Sequence, residues 1–375
     1  MKFIYLTLSS IPAGWAHEIQ IMKMCGALAE NDIDVELICP ARRVGVKEDP
    51  FLYYDIETKF NIKKISCLDI FPGSPHRVLF WIRLISFLIL SRIYLFFKNY
   101  DILYTRETLA GLFFKNFILE LHTFPKKIKF IDRLAWRRSK KLVVLTSFIK
   151  KRLIEAGIKE NKILIAPDGV DINKFQILSP KSQIREKLGF PQDKILIGYV
   201  GMLKTMDMEK GIDIAINSLK FLDEDSFLVL VGGEPQDIKF YKDSTTSLGF
   251  KDRVFFIGRV DHKMVPLYLK AFDVLIAPFP DIEHYRFYMS PLKIFEYMAS
   301  GVSIVASDLP SIREILDENN AVLVEPNSPG KLAEGIKRVL QDKDFADKIS
   351  KQAFEDVKNY TWQKRARRIL EFIKI

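Results

Sequence analysis

Short apolar runs alternate with amphipathic stretches along almost the whole chain. Phe3–Leu8 is an apolar run of strand length, Glu18–Asn31 carries its apolar residues at helical spacing, and Val35–Cys39 is a short apolar run again. Strand, helix, strand in that order predicts parallel strands joined by crossover helices. The same pattern predicts strands at Ile102–Tyr104, Phe117–Leu121, Leu142–Leu145 and Ile163–Ala166. From Asp168 to about Pro191 the chain is turn-rich and polar. A fresh series then begins with Ile195–Val200, Phe227–Val231, Val254–Ile257, Val274–Ala277, Val302–Ala306 and Ala321–Val324. This predicts an α/β protein of two tandem domains, residues 1–178 and 179–359, and 375 residues suffice for a core in each. No repeat of solenoid period and no low-complexity tract interrupts it.

Two apolar segments bear on membranes. The opening MKFIYLTLSSIPAGWA has the outline of a short secretory leader, but its apolar core is brief, contains Thr7, and runs into Pro12 and Gly14, which suits a buried first strand and its loop. A cytoplasmic protein is expected. Val78–Phe97 holds 16 apolar residues in 20, interrupted by Arg83, Ser86, Ser91 and Arg92. Sixteen apolar residues at about −0.4 kcal/mol each are nearly cancelled by two arginines at about +3 each, so a spanning helix is not expected. On a helical wheel Arg77, Arg83, Arg92 and Lys98 share about half the circumference with Trp81 and Tyr94 nearby, as in a helix lying on a bilayer. A core helix with outward-reaching arginines fits the same pattern equally well.

Composition changes the picture mainly through charge. The chain is 48% apolar and 28% charged, which excludes a disordered or fibrous protein. Its three cysteines, Cys25, Cys39 and Cys67, have no metal spacing and read as small buried hydrophobes. Residues 1–170 hold 27 basic against 17 acidic side chains, while residues 171–375 hold 30 of each, so the whole net charge of +10 belongs to the first half. That half is expected to face an anionic partner. A second basic cluster there, Lys126, Lys127, Lys129, Arg133, Arg137, Arg138, Lys140 and Lys141, is interleaved with Phe124, Phe130, Leu134 and Trp136. With no nucleic-acid reading module in the sequence, an anionic membrane surface is the expected partner and nucleic acid is not.

The sharpest local signal is the tract from Ser290 to Gly301, SPLKIFEYMASG. Ser290 suits an N-cap, Pro291 the first helical position and Gly301 the stop. With Leu292 and Lys293 in the first turn and no carboxylate there, the helix N-terminus is a seat for phosphate. Glu296, in an otherwise apolar helix, needs a polar partner: a ligand hydroxyl, or Lys293 three residues back. The loop Gly201–Gly211 carries Lys204 and Lys210 just ahead of a helical pattern, though it fits no dinucleotide or Walker fingerprint. After the first strand, Gly14 permits close backbone approach, and His17, Glu107 and His122 all fall near strand ends.

Together these residues resemble a known family. SPLKIFEYMASGVSIVASDLPSIREIL, with IAPDGVDINKF, DILYTRETLAG, FILELHTFP and EKGIDIAI, is similar to retaining glycosyltransferases of family 4, which have the GT-B fold. The resemblance covers nearly the whole chain. It implies two Rossmann-like domains facing a cleft, a nucleotide-sugar held mainly by the second domain, an acceptor held mainly by the first, and a last helix, 360–375, crossing back to the first domain. The family's paired-glutamate motif puts its second member at Glu296, a ribose ligand, and its first at Tyr288, a departure that bears on sugar choice. The resemblance makes Lys210 the phosphate-binding lysine. Met202 stands where a basic residue is common, and Lys204 is the candidate to compensate. His122 matches the histidine facing the donor sugar, Gly14 lies beside the diphosphate, and Gly258, Arg259 and Val260 lie beside the base. Arg106 and Glu107, with His17, are the acceptor-side candidates.

The resemblance implies transfer from a UDP- or GDP-sugar to a glycan or lipid-linked acceptor, with retention, no cofactor and no metal. Positive charge grows at the anomeric carbon and negative charge on the leaving diphosphate, which Lys210, Lys204 and the Ser290–Lys293 amides would stabilise. The alternative is a catalytically weak GT-B subunit that binds nucleotide-sugar or scaffolds a partner, for which Tyr288 and Met202 are the motive.

Overall fold

A computed structural model describes every residue except 42–46, 69–76, 206–207 and 375, with only the backbone of Ala16, Arg77 and Phe80. The chain forms two compact units, Met1–Asp168 with Trp362–Ile375, and Gly169–Thr361. The division falls at Asp168, before the predicted residue 178. Asp168 is buried in the first unit, whereas the Val170 N–H already donates to the Tyr360 carbonyl of the second, 2.8 Å away. From Gly169 onward the turn-rich segment therefore belongs to the second unit.

The first unit is a seven-stranded parallel sheet. Its strands are β1 (Lys2–Leu6), β2 (Asp34–Pro40), β3 (Asn61–Ile65), β4 (Ile102–Thr105), β5 (Ile118–Leu121), β6 (Lys141–Val144) and β7 (Ile163–Ile165), in the order β3-β2-β1-β4-β5-β6-β7. Phe3 to Leu6 are fully buried, as a central parallel strand covered on both faces requires. Edge strand β3, with the exposed lysines of Asn61–Ile65, is absent from the sequence expectation. The helix Trp362–Lys374 buries Trp362, Arg365, Ala366, Ile369, Leu370 and Ile373, one helical face, and packs on the helix Ala16–Ala29.

In the second unit β8 (Ile195–Val200) leads into a two-residue hairpin, β9 (Lys204–Thr205) and β10 (Met208–Glu209). β11 (Ser226–Val231), β12 (Val254–Gly258), β13 (Val274–Ala277), β14 (Ile304–Ser307) and β15 (Val322–Val324) complete a six-stranded parallel sheet, ordered β12-β11-β8-β13-β14-β15. Along β8, Leu196 and Val200 join one apolar cluster while Ile197 and Tyr199 join another on the opposite face. That period of two is the signature of a strand sandwiched between helical layers.

Among the described residues no helix is long and apolar enough to cross a membrane. The helix Arg77–Phe96 buries Leu84, Phe87, Leu88 and Leu95, but its outer face is apolar rather than basic. Val78, Trp81, Ile85, Ile89, Ile93 and Phe96 are exposed at helical spacing, with Phe97 just beyond. Of the arginines expected to point outward, Arg92 is exposed and Arg83 half-buried among these apolar side chains; the Arg77 side chain lies outside the described residues. Tyr94 turns to Glu36, its hydroxyl donating at 2.7 Å. In the second basic cluster Phe124 and Trp136 are core residues stacked 5.5 Å apart, and Phe130 is exposed. Cys25 and Cys39 are buried; Cys67 is only partly so.

Candidate active site

Both sheets reverse strand order once, between β1 and β4 and between β8 and β13, and ligands of open α/β sheets bind beyond the carboxyl ends of such strands. In the second unit the chain leaves β8 at Gly201 and passes through the hairpin to Lys210 and Gly211, the N-cap of the helix Ile212–Ser218. Gly211 is left-handed (φ 79°), and a Cβ there would stand 1.7 Å from the Pro278 carbonyl oxygen, just past β13. Only glycine lets the loop cross so closely, and the crossing holds Lys210 beside the end of β13. Desolvation pushes the Lys210 ammonium down to about 8. Lys204 is engaged inside the hairpin, its Nζ 2.9 Å from Glu209 and 4.1 Å from the Phe240 ring centre. Residues 206–207 of the predicted loop lie outside the described residues.

The helix carrying the strongest motif spans Leu292–Ser300, so Pro291 is its N-cap rather than its first residue, and Ser290 precedes the cap. Gly301 ends it in the left-handed conformation. Glu296 does not take Lys293 as its partner. Its Oε1 lies 2.9 Å from His262 Nε2, a residue with no local sequence signal that sits on the turn after β12. Lys293 is buried, and its Nζ stands 3.6 Å above the centre of the Tyr199 ring. Tyr288, buried, donates its hydroxyl to Glu283 Oε1 at 3.2 Å, so a carboxylate from five residues upstream lies at the tip of its side chain. The Gly258 carbonyl accepts from the Gly232 N–H at 2.7 Å, joining the ends of β11 and β12. Beside it Arg259 lies 3.4 Å from Glu234, and Val260 packs against the core.

In the first unit the loop after β1 is held from below. The N–H groups of Ala13 and Gly14 donate to the Tyr54 hydroxyl at 3.1 and 3.4 Å, and that hydroxyl donates to Glu18 at 3.2 Å. Gly14 is left-handed (φ 83°). Arg106, after β4, donates to Gln20 Oε1 at 2.9 Å and to the His17 carbonyl at 3.3 Å, while the His17 side chain stays exposed. Glu107 accepts from the Leu8 N–H at 3.1 Å and supports that loop, with burial pushing its carboxyl upward.

His122, just past β5, has Nε2 2.6 Å from Glu120 Oε1. Desolvation and the Arg106 cation push its imidazole down to about 4, so it is neutral. Glu120 is fully buried and accepts from Gln20, from Arg365 at 2.8 Å and from the Tyr104 hydroxyl. Burial alone would raise its carboxyl, but Arg365, then His122, hold it well below the usual range. An ionised Glu120 only accepts, so Nε2 carries the imidazole proton and Nδ1 is left as an acceptor. A cleft of about 210 Å³ opens here, lined by Arg106, Thr108, His122, Thr123, Asp132 and Trp136 among others.

Two family models cover the chain. Glycosyltransferase Family 4 matches residues 17–174, and Glycosyl transferases group 1 matches residues 180–356. The chain belongs to the group 1 glycosyltransferases. The chain is 26% identical over 259 residues to an uncharacterised glycosyltransferase of Methanocaldococcus jannaschii, covering 67% of this chain and 64% of that one. Over 325 residues it is 24% identical to an uncharacterised 41.2 kDa protein in the cps region of Klebsiella pneumoniae, covering 81% and 82%. The chain spans 64%, 52% and 58% of the first three curated relatives it matches. Among solved structures, Anabaena HepE in complex with UDP superimposes over the whole of both chains at a TM-score of 0.76 and 19% identity. With the two parallel sheets, this shows the GT-B fold.

Proposed function

We propose that this transferase moves a hexose from a UDP- or GDP-sugar to a glycan or lipid-linked acceptor at an anionic membrane surface, with retention of configuration and without a metal. The carrying observation is the desolvated Lys210 ammonium held at the strand-order reversal, near enough to Lys293 of the helix Leu292–Ser300 to push that amine down. A dianionic leaving group meets preorganised positive charge there, which is where the reaction needs it. The HepE complexes with UDP and with UDP-glucose support a nucleotide-sugar donor. A Rhizobium meliloti lipopolysaccharide core biosynthesis mannosyltransferase, 27% identical over 156 residues, supports a glycan product.

In this reading Glu296, fixed by His262, binds the ribose. Tyr288 with Glu283 meets the sugar hydroxyls, the Ser290–Lys293 amides hold phosphate, and Gly258–Val260 flank the base. On the first unit the neutral His122 accepts a sugar hydroxyl through Nδ1, Gly14 lies beside the diphosphate, and Arg106, with His17 and Glu107, belongs to the acceptor side. The bond from the anomeric carbon to the phosphate oxygen breaks and the acceptor oxygen bonds to that carbon on the same face. The acceptor proton goes to the leaving phosphate oxygen, so no protein nucleophile is involved.

The exposed apolar face of the helix Arg77–Phe96 is the proposed membrane contact, with the exposed Arg92, Lys63 and Lys64 available for anionic headgroups. The test is transfer from labelled UDP- and GDP-sugars to membrane glycolipid extracts, with the product's anomeric configuration read by NMR. Transfer with retention supports the reading. An inverted product overturns retention, and nucleotide binding without transfer or hydrolysis favours the non-catalytic subunit.

A further inference from the structure

Lys293 is the second residue of the helix Leu292–Ser300, and its side chain runs back to the end of β8. Its Nζ lies 2.9 Å from where a Cβ on Gly201 would stand, 3.6 Å above the Tyr199 ring centre and 5.4 Å from that of Phe279. The residue is 8% exposed, and the buried Nζ makes no hydrogen bond. The nearest carboxylate on its own helix, Glu296, is committed to His262. Among the described residues, the other ionisable groups at its Nζ are Tyr199 of β8, whose hydroxyl is bonded to the Met202 carbonyl at 2.7 Å, and the Lys210 ammonium ahead of the helix Ile212–Ser218, while Glu296 acts on it as an opposite charge. A buried amine that makes no hydrogen bond and stands beside a second cation is costly to charge unless something anionic completes the site.

We propose that the Lys293 side chain is a diphosphate ligand of the donor site, waiting over the Tyr199 ring in the empty protein and paired with the diphosphate when a nucleotide binds. This deepens the donor-site reading and rests on it. The same geometry makes binding take up a proton. Burial, and then the neighbouring Lys210, hold the Lys293 amine well below its ordinary range against the opposing pull of Glu296, and an anion placed opposite it raises it again. Nucleotide affinity should then fall as pH rises.

The test is isothermal titration calorimetry of UDP and GDP with the full chain at about pH 7, in buffers of different ionisation enthalpy, on the wild type and Lys293→Met. At that pH Lys210 is mostly protonated already, so uptake reports on Lys293. The wild type should take up a proton with the nucleotide it prefers. Lys293→Met should bind that nucleotide about tenfold more weakly or worse, as loss of a charge-assisted contact implies, without uptake. It should bind the bare nucleoside as the wild type does and melt higher when empty. Equal affinity and equal uptake in the variant would overturn the Lys293 role and leave the donor site standing. Binding of neither nucleotide by the wild type would overturn both. If the variant does not fold, the wild type alone decides, because absence of uptake contradicts the proposal.

Discussion

Arg365→Met isolates the most buried charge pair in the first unit. The Arg365 and Glu120 side chains are 3% and 0% exposed, with 2.8 Å between Nη2 and Oε1. Arg365 Nε also donates to the Pro167 carbonyl at 2.9 Å, so one guanidinium ties the last helix to the sheet at two points. Removing it leaves a buried carboxylate without its cation, which costs about 3–5 kcal/mol. With a urea slope of about 2 kcal/mol/M, the midpoint should fall by about 2 M. All four tryptophans, Trp15, Trp81, Trp136 and Trp362, lie in this unit, so tryptophan fluorescence reports its unfolding selectively. Glu120 has a depressed folded-state pKa, so its stabilising contribution is present above the ordinary carboxylate range and lost only as pH falls through the depressed value. In the variant the carboxyl rises instead, and the deficit should shrink towards about pH 5 as it protonates. Adding Glu120→Gln should recover most of the loss. A midpoint for Arg365→Met within about 0.3 M of wild type would refute the reasoning.

Burial pushes the Asp168 carboxyl up to about 7. A raised acid favours the folded state below its unfolded value and loses that contribution as pH rises through the folded one. The wild type should therefore lose stability between about pH 4 and 7 relative to Asp168→Asn, and parallel melting curves over that range would contradict this. His262→Ala frees Glu296 from its 2.9 Å partner. Loss of one such hydrogen bond, about 1 kcal/mol, should weaken nucleotide binding about fivefold, and an unchanged titration would count against the pairing. Glutamate at Ile85, Ile89 and Phe96 together should lower binding to vesicles containing phosphatidylglycerol about a hundredfold, from about 1 kcal/mol for each apolar side chain no longer buried. Unchanged co-sedimentation would remove the membrane reading.

The central strands were legible because they are apolar along their length. β8 and β13 start and end where the apolar runs do. β3 was not, since an edge strand with outward lysines has no apolar run to detect. The hairpin of β9 and β10 is too short for any periodicity. At the site, Gly211, Lys210 and the glycine stop at Gly301 carry local signals, because backbone conformation and helix ends leave them. Glu120 and His122 stand two apart in a strand run and so share a face, which alone could have singled out the carboxylate. Its partner Arg365 is 245 residues away, and His262 reaches Glu296 across two strands. Such pairings arise only from tertiary packing. Lys293 was legible as positive charge at a helix end, but its position over Tyr199 depends on β8 lying beneath it.

The most direct test of the donor site is a thermal-shift screen against UDP, GDP, ADP and their common sugar conjugates, run on the wild type, Glu296→Ala and Lys210→Ala. Ligand at about a hundred times its dissociation constant adds about 2.7 kcal/mol to native stability, a shift of several degrees for a unit of this size. The account predicts that one nucleotide raises the wild-type melting temperature and that both variants lose the shift. No shift with any nucleotide, or a shift that survives in both variants, would contradict it.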